Sequence, residues 1–255
     1  RQLDILRPAV KDVIRVERSS RVPEAVRRAF AVATSGRPGP VVVDVPEDIA
    51  HESFDYPLSD LWIDPATTRF PAYRSRPDAR AVEKAAAAIA KASRPLLLVG
   101  GGIHISQAYE ALQAFAGAHS IPVAHTLSGK GAIACVHPLS IGLFGRYSRI
   151  ANELIECSDC LIVIGCKLGE IATKRFQLFN GAAPIIHIEL LPEEIGRTTR
   201  TDHALVGDAR LALEDLSAAL HGAAATSRAA RSDYAAEVTA RMAKWRKGAA
   251  DRLLS

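Results

Sequence analysis

Leu96-Leu97-Leu98-Val99-Gly100-Gly101-Gly102 is the stretch on which the fold turns. A short, wholly apolar run suits a strand covered on both faces, and here it passes straight into three glycines and then a helical pattern. Alpha/beta folds bring peptide N–H groups up to a diphosphate in this way, because side chains at the turn would block the approach. The same glycines suit a tight strand-to-helix turn that needs them for conformation alone. The triplet by itself does not separate the two readings.

On either side of this stretch the pattern is regular. Helices are expected over 79–92, 106–119, 149–157 and 208–220, and strands over 96–99, 122–125, 161–164, 184–189 and, briefly, 204–206. Alternation of this kind predicts a doubly wound, Rossmann-like parallel sheet with helices on both faces over residues 78–221. Each strand is followed by a small or polar turn: Thr126-Leu127-Ser128-Gly129-Lys130-Gly131, then Gly142-Leu143-Phe144-Gly145, then Gly165-Cys166-Lys167, then Glu189. Ligands of open parallel sheets bind outside the carboxyl ends of the strands, so these turns define a candidate nucleotide crevice. Ordinary NAD binding would place an acid about 20 residues after the glycines. His125-Thr126 stands there instead, and the acid comes much later, as Glu189.

In front of this domain lies a truncated alpha/beta piece, residues 1–50. A short strand over 13–16 and a helix opened by Pro23 precede Gly-Arg-Pro-Gly-Pro-Val-Val-Val-Asp-Val-Pro-Glu-Asp-Ile, residues 36–49. Val41, Val42, Val43 and Val45 read as an interior strand covered on both faces, with too little chain before it to supply the neighbours. Prolines 57, 65, 71 and 77 mark residues 51–77 as a linker wrapping over a surface. The alanine-rich stretch 221–230 reads as a hinge, and 233–254 as an amphipathic helix toward a further domain. The chain starts at Arg1 and its only methionine is Met242, so it reads as part of a longer protein.

Composition narrows the function classes. Apolar content is 48%, enough for a sizeable core, and no window approaches the roughly 20 apolar residues of a membrane span, which points to a cytoplasmic protein. The net charge of +4 resides in residues 227–252, which hold seven basic and three acidic residues. No aromatic interleaving accompanies them, so nucleic-acid binding is not expected. Cys157-Ser-Asp-Cys160 lacks the second pair a zinc site wants, and both cysteines read as small hydrophobes; that missing pair also argues against an NAD-consuming deacylase of the sirtuin type. His125, His137 and His187 read as structural, and no catalytic residue is assigned.

Several segments together resemble a known family: 36–48, Arg-Pro-Leu-Leu-Leu-Val-Gly-Gly-Gly (94–102), Ile-Pro-Val (121–123), Gly-Lys-Gly (129–131), His-Pro-Leu (137–139), Ser-Asp-Cys-Leu-Ile-Val-Ile-Gly (158–165) and Pro-Glu-Glu-Ile-Gly-Arg (192–197) look like the thiamine-diphosphate enzymes of the acetolactate synthase type. The resemblance implies that residues 1–50 end a pyrimidine-binding domain and that 78–221 form the central domain, which in acetolactate synthase binds FAD. It places Gly100, Gly101 and Gly102 at the diphosphate, Thr126 and Leu127 on the flavin side, and Gly142, Leu143, Phe144 and Gly145 beside the ligand. Gly165 and Lys167 would face phosphates or the ribityl chain, and Glu189 the adenosine ribose, with Asp208 nearby. Phe144, Lys167 and Leu191 depart from the flavin-binding pattern, and a lysine does not replace an arginine fork at a diphosphate. FAD, an ADP-like nucleotide or an empty architectural domain therefore all stay open. The implied chemistry is that of a carboligase or decarboxylase acting on a 2-keto acid with thiamine diphosphate and Mg²⁺, in a homodimer or homotetramer. The glutamate and the Gly-Asp-Gly segment that hold those cofactors are not in this sequence, so the isolated chain is expected to be inactive. Gly207-Asp208 reads as a strand-to-helix cap.

Overall fold

The computed structural model describes residues 2–179, 181 and 183–254. The chain divides into two compact units, residues 1–74 and 75–255.

In the first unit, α1 (Gln2–Leu6) leads into β1 (Asp12–Arg15), α2 (Val22–Thr34), β2 (Val41–Asp44) and α3 (Glu47–His51). Pro23 sits in the first turn of α2, where its missing N–H has no partner to lose. The two strands pair in parallel, Ile14 opposite Val43. α2 lays Val22, Ala25 and Ala29 on Ile14, Val16, Val41 and Val43. The expected strand covered on both faces is corrected here. β2 is half-buried throughout and Val45 is exposed, because α2 covers only one side. Residues 51–74 belong to this unit and follow it closely: Tyr56 Oη donates to Ser19 O at 2.6 Å, Arg27 stacks on Trp62 at 4.5 Å and Ala72 N donates to Thr34 O.

The second unit is built on a parallel sheet of β3 (Pro95–Val99), β4 (Val123–His125), β5 (Ser140–Leu143), β6 (Cys160–Ile164), β7 (Ile185–Glu189) and β8 (His203–Val206), in the order β5-β4-β3-β6-β7-β8. Helices α4 (Ala79–Lys91), α5 (Gly102–Ser106), α6 (Tyr109–His119), α7 (Ala151–Glu156), α8 (Ala209–Ala219), α9 (Ala224–Ala230) and α10 (Ser232–Leu254) cover it. Alternation along each strand sorts the core into two layers. Leu97, Val99, Ile162 and Ile164 pack under α4, α6 and α8, whereas Leu96, Leu98, Leu161 and Val163 pack under α7 and α10. Leu96, Leu97 and Leu98 are fully buried, and each such side chain stabilises the fold by about 2 kcal/mol.

Four local expectations change. The single helix over 106–119 is broken into α5 and α6 at Gln107, which takes a left-handed φ of 52° while its N–H caps α5 on His104 O. Nothing in Gln107-Ala108 signals that break. Gly142 and Leu143, read as a turn, lie in β5, where Gly142 takes a φ of +77° at a bulge against β4. The alanine-rich hinge is helical, as befits the strongest helix former. Cys157, read as a small hydrophobe, is exposed at the end of α7, while Cys160 opening β6 is buried and its thiol is pushed up to about 12.

Arg231, where α9 meets α10, is only 1% exposed. Its guanidinium donates to Ile89 O and Ala92 O at the end of α4 and to His119 O at the end of α6, over 2.5 to 3.1 Å. These carbonyls have no further helical turn to receive, and a cation also suits the negative end of each helix.

Candidate functional site at the carboxyl edge of the sheet

Because every strand of the six-stranded sheet is parallel, all carboxyl ends lie along one edge. From β3 the chain proceeds outward through β4 to β5, then returns to β6 and proceeds the other way through β7 to β8. The switch point therefore lies between β3 and β6, where Gly100 and Gly165 leave the sheet side by side. An open parallel sheet offers its crevice there.

The glycines at this point interlock. A Cβ on Gly100 would lie 2.2 Å from Gly165 O, and one on Gly102 would lie 2.5 Å from Gly165 Cα. Gly165 itself has a φ of +54°, and a Cβ on Gly129 would meet Val99 O at 2.4 Å. Gly100 N donates to Ile164 O and Gly102 N to Gly165 O, so two of the three triplet amides are engaged within the fold. Gly101 differs. Its amide donates to none of the described residues, and its Cβ would come no nearer than 3.3 Å to Ser128 Cβ and 3.5 Å to Ser128 O. Thr126 holds this loop, accepting from Gly129 N with both its carbonyl and its hydroxyl, and leaves Leu127 56% exposed.

On the other side of the switch, Lys167 follows β6 and forms an ion pair with Glu194, which also pairs with Arg197 at 2.8 Å. Glu189 ends β7 half-buried, and its Oε1 accepts from Leu190 N at 2.9 Å. Burial holds its carboxyl above the usual carboxylate range. Gly101, Ser128, Gly165, Lys167 and Glu189 thus share the switch-point edge.

The remaining expected residues have partners within the fold. Phe144 is 2% exposed in the core, and Leu143 lies in the outermost strand. Gly145 is clasped by Asn152, which accepts from its N–H at 2.8 Å and donates to its carbonyl at 2.9 Å. Asp208 is buried and caps α8, accepting from Arg210 N and Leu211 N, and it also accepts from Ser106 Oγ at 2.8 Å, which ties α5 to α8. Glu194 and Arg197 lie within the segment 192–197 that carries the family resemblance, with nothing local to mark them as site residues except their charge spacing after β7.

The buried histidines are held neutral. His125 Nδ1 donates to Thr126 O at 2.9 Å and His187 Nε2 to Cys166 O at 3.0 Å. Burial pushes His119, His125 and His187 below the usual 6.5. The unfolded chain then takes up protons first, so this stability is complete above the unfolded value and is lost as pH falls through the lower folded values. The urea midpoint should drop between about pH 7.5 and about pH 5.5; an unchanged midpoint would contradict the buried, neutral rings.

A groove of about 450 Å³ lies at the opposite, amino edge, lined by Lys84, Lys91, Asp159, Pro184 and His203 among others. Among the described residues no group of three or more His, Cys, Asp or Glu could hold a metal ion, and no helix is long and apolar enough to cross a membrane.

Residues 82–216, the whole core of this sheet, match the family described as the central domain of thiamine pyrophosphate enzymes. The chain belongs to that family. It is similar to the probable acetolactate synthase large subunit of Methanocaldococcus jannaschii, at 39% identity over 86% of this chain and 37% of that protein. It is also similar to the acetolactate synthase large subunit of Corynebacterium glutamicum, at 37% identity over 83% and 33%, and to the chloroplastic acetolactate synthase 2 of Nicotiana tabacum, at 35% over 78% and 30%. The chain spans about a third of the length of these relatives.

Proposed function

We propose that the chain is the nucleotide-binding central part of a thiamine-diphosphate-dependent carboligase or decarboxylase acting on 2-keto acids, similar to acetolactate synthase, with FAD or an ADP-like nucleotide lying across the carboxyl edge. The observation that carries this reading is the switch point itself. The Gly101 amide, which donates to none of the described residues, leaves the sheet after β3, Lys167 follows β6 and pairs with Glu194, and the Glu189 carboxyl ends β7, so the three follow adjacent strands on one edge. Those groups fit a phosphate-bearing nucleotide: Gly101 and Lys167 would hold the diphosphate, Ser128 and Leu127 would border the adjoining part, and Glu189 would take a ribose hydroxyl. A bound flavin would supply a planar redox ring, while this chain's own residues bind and orient.

Thiamine diphosphate and Mg²⁺ would be held by other parts of the whole protein, a homodimer or homotetramer, and this chain contributes no catalytic residue. A second reading, an architectural domain without a ligand, is favoured by the interlock of Gly100, Gly102 and Gly165, which accounts for those glycines by packing alone.

Titration of the chain with FAD, followed by absorbance and fluorescence, separates the two. Saturable binding that ADP displaces, weakened about tenfold or more by Gly101→Val, is the expected result. Binding of ADP without FAD would define a non-flavin branch, and no affinity for FAD, ADP or NAD would leave the architectural reading.

A further inference from the structure

Lys167, the cation that follows β6, is already paired from within the chain. Glu194 lies in the short turn after β7, its side chain 11% exposed, between Lys167 and Arg197, which are 43% and 49% exposed. Lys167 Nζ donates to one carboxylate oxygen and Arg197 Nε lies 2.8 Å from the other. The two cations are thus presented to solvent with a carboxylate lodged between them, two oxygens on one anionic group, much as a phosphate would sit. The pairing also keeps the Glu194 carboxyl well below the usual carboxylate range, so the group is ionised across the neutral pH range.

From this geometry we infer that Glu194 is a built-in competitor for the phosphate subsite, and that a phosphate-bearing ligand binds by drawing Lys167 away from it. The inference rests on the nucleotide reading above. Both cations keep much of their surface in water, where an ion pair is weak, so the contact can be exchanged for a doubly charged phosphate that accepts the same donors. The device weakens phosphate-bearing ligands selectively, so that only one whose phosphate charge can displace the carboxylate binds. A nucleoside without phosphate leaves the Lys167–Glu194 pair in place and gains nothing from its removal.

The test is a set of affinities for ADP, inorganic pyrophosphate and adenosine, measured calorimetrically on the chain and on Glu194→Gln, Lys167→Met and the double variant. Glu194→Gln keeps the shape and a hydrogen-bond acceptor while removing the charge. It is expected to tighten ADP and pyrophosphate by about tenfold, to leave adenosine unchanged, and to lose that gain in the Lys167→Met background. If instead Glu194→Gln weakens ADP, or changes ADP and adenosine alike, Glu194 only braces its turn and the inference fails while the nucleotide reading stands. If neither the chain nor Glu194→Gln binds any of the three, both fall. A thermal melt of each variant identifies any that is unfolded, in which case Glu194→Ala, scored by the same ADP-to-adenosine ratio, takes its place.

Discussion

Gly100→Ala is expected to cost on the order of 4 kcal/mol, enough to remove most of the stability of an ordinary domain. The added methyl would lie 2.2 Å from Gly165 O, 2.7 Å from Cys166 Cα and 2.8 Å from Cys166 Cβ. Two of those atoms are backbone, held by Gly100 N on Ile164 O and by Gly165 N on Ile188 O, so neither strand can yield without opening the ladder. Gly101→Ala is the matched control. Gly101 has helical backbone angles, φ −63° and ψ −16°, which alanine adopts freely, and its nearest neighbour is the exposed Ser128 side chain at 3.3 Å. Its effect should stay within about 1 kcal/mol. Urea unfolding followed by circular dichroism reads both. Equal midpoints for Gly100→Ala and the parent chain would mean that β3 and β6 are not in contact at their carboxyl ends. The pair also matters for any binding study, since only the middle glycine can be altered without confusing lost affinity with lost structure.

Arg231→Met should cost about 4 kcal/mol as well, by the opposite mechanism. Methionine fills much of the volume, but Ala92 O and His119 O lose their guanidinium donors and Ile89 O keeps only Ala92 N, around a side chain that is 1% exposed. A buried acceptor left unpaired pays its full desolvation cost. Lysine restores the charge but not the fork that spans two helix ends at once, so Arg231→Lys should recover only part of the loss. The same denaturation curves decide this. A midpoint for Arg231→Met at the parent value would show that α9 and α10 are not anchored through the guanidinium.

What could be read from the residues divides along a physical line. The buried runs 96–99 and 161–164 announced the central strands because a strand covered on both faces must be apolar throughout. Asp208 announced its cap because a carboxyl before a helix has one obvious use. β5 was hidden because Gly142 supplies a bulge rather than a turn, and the break at Gln107 because it is imposed by tertiary structure: Gly102 is pinned against Gly165 at one end of α5 and Ser106 is bonded to Asp208 at the other. At the candidate site the loops were legible and their division of labour was not. A glycine locked against its neighbours and a glycine with room beside it look alike until the neighbours are in place, and Gly100 and Gly101 are adjacent in sequence with opposite surroundings. Arg231 reads only as one of the seven basic residues of 227–252, since nothing local distinguishes a buried arginine from an exposed one.

The strand order carries a consequence for how the sheet is made. β3 occupies an inner position yet is the earliest of its six strands in the sequence, and its neighbour β6 begins only at Cys160. During synthesis the half from β3 to β5 therefore emerges with one flank of β3 exposed, and the loop that must close before β3 meets β6 is long. Pairings of such separation slow folding. The seam where Gly100 meets Gly165 is then a late event on the ribosome, and a nascent chain paused before residue 160 would present a bare, wholly apolar strand edge to chaperones or to a neighbouring nascent chain.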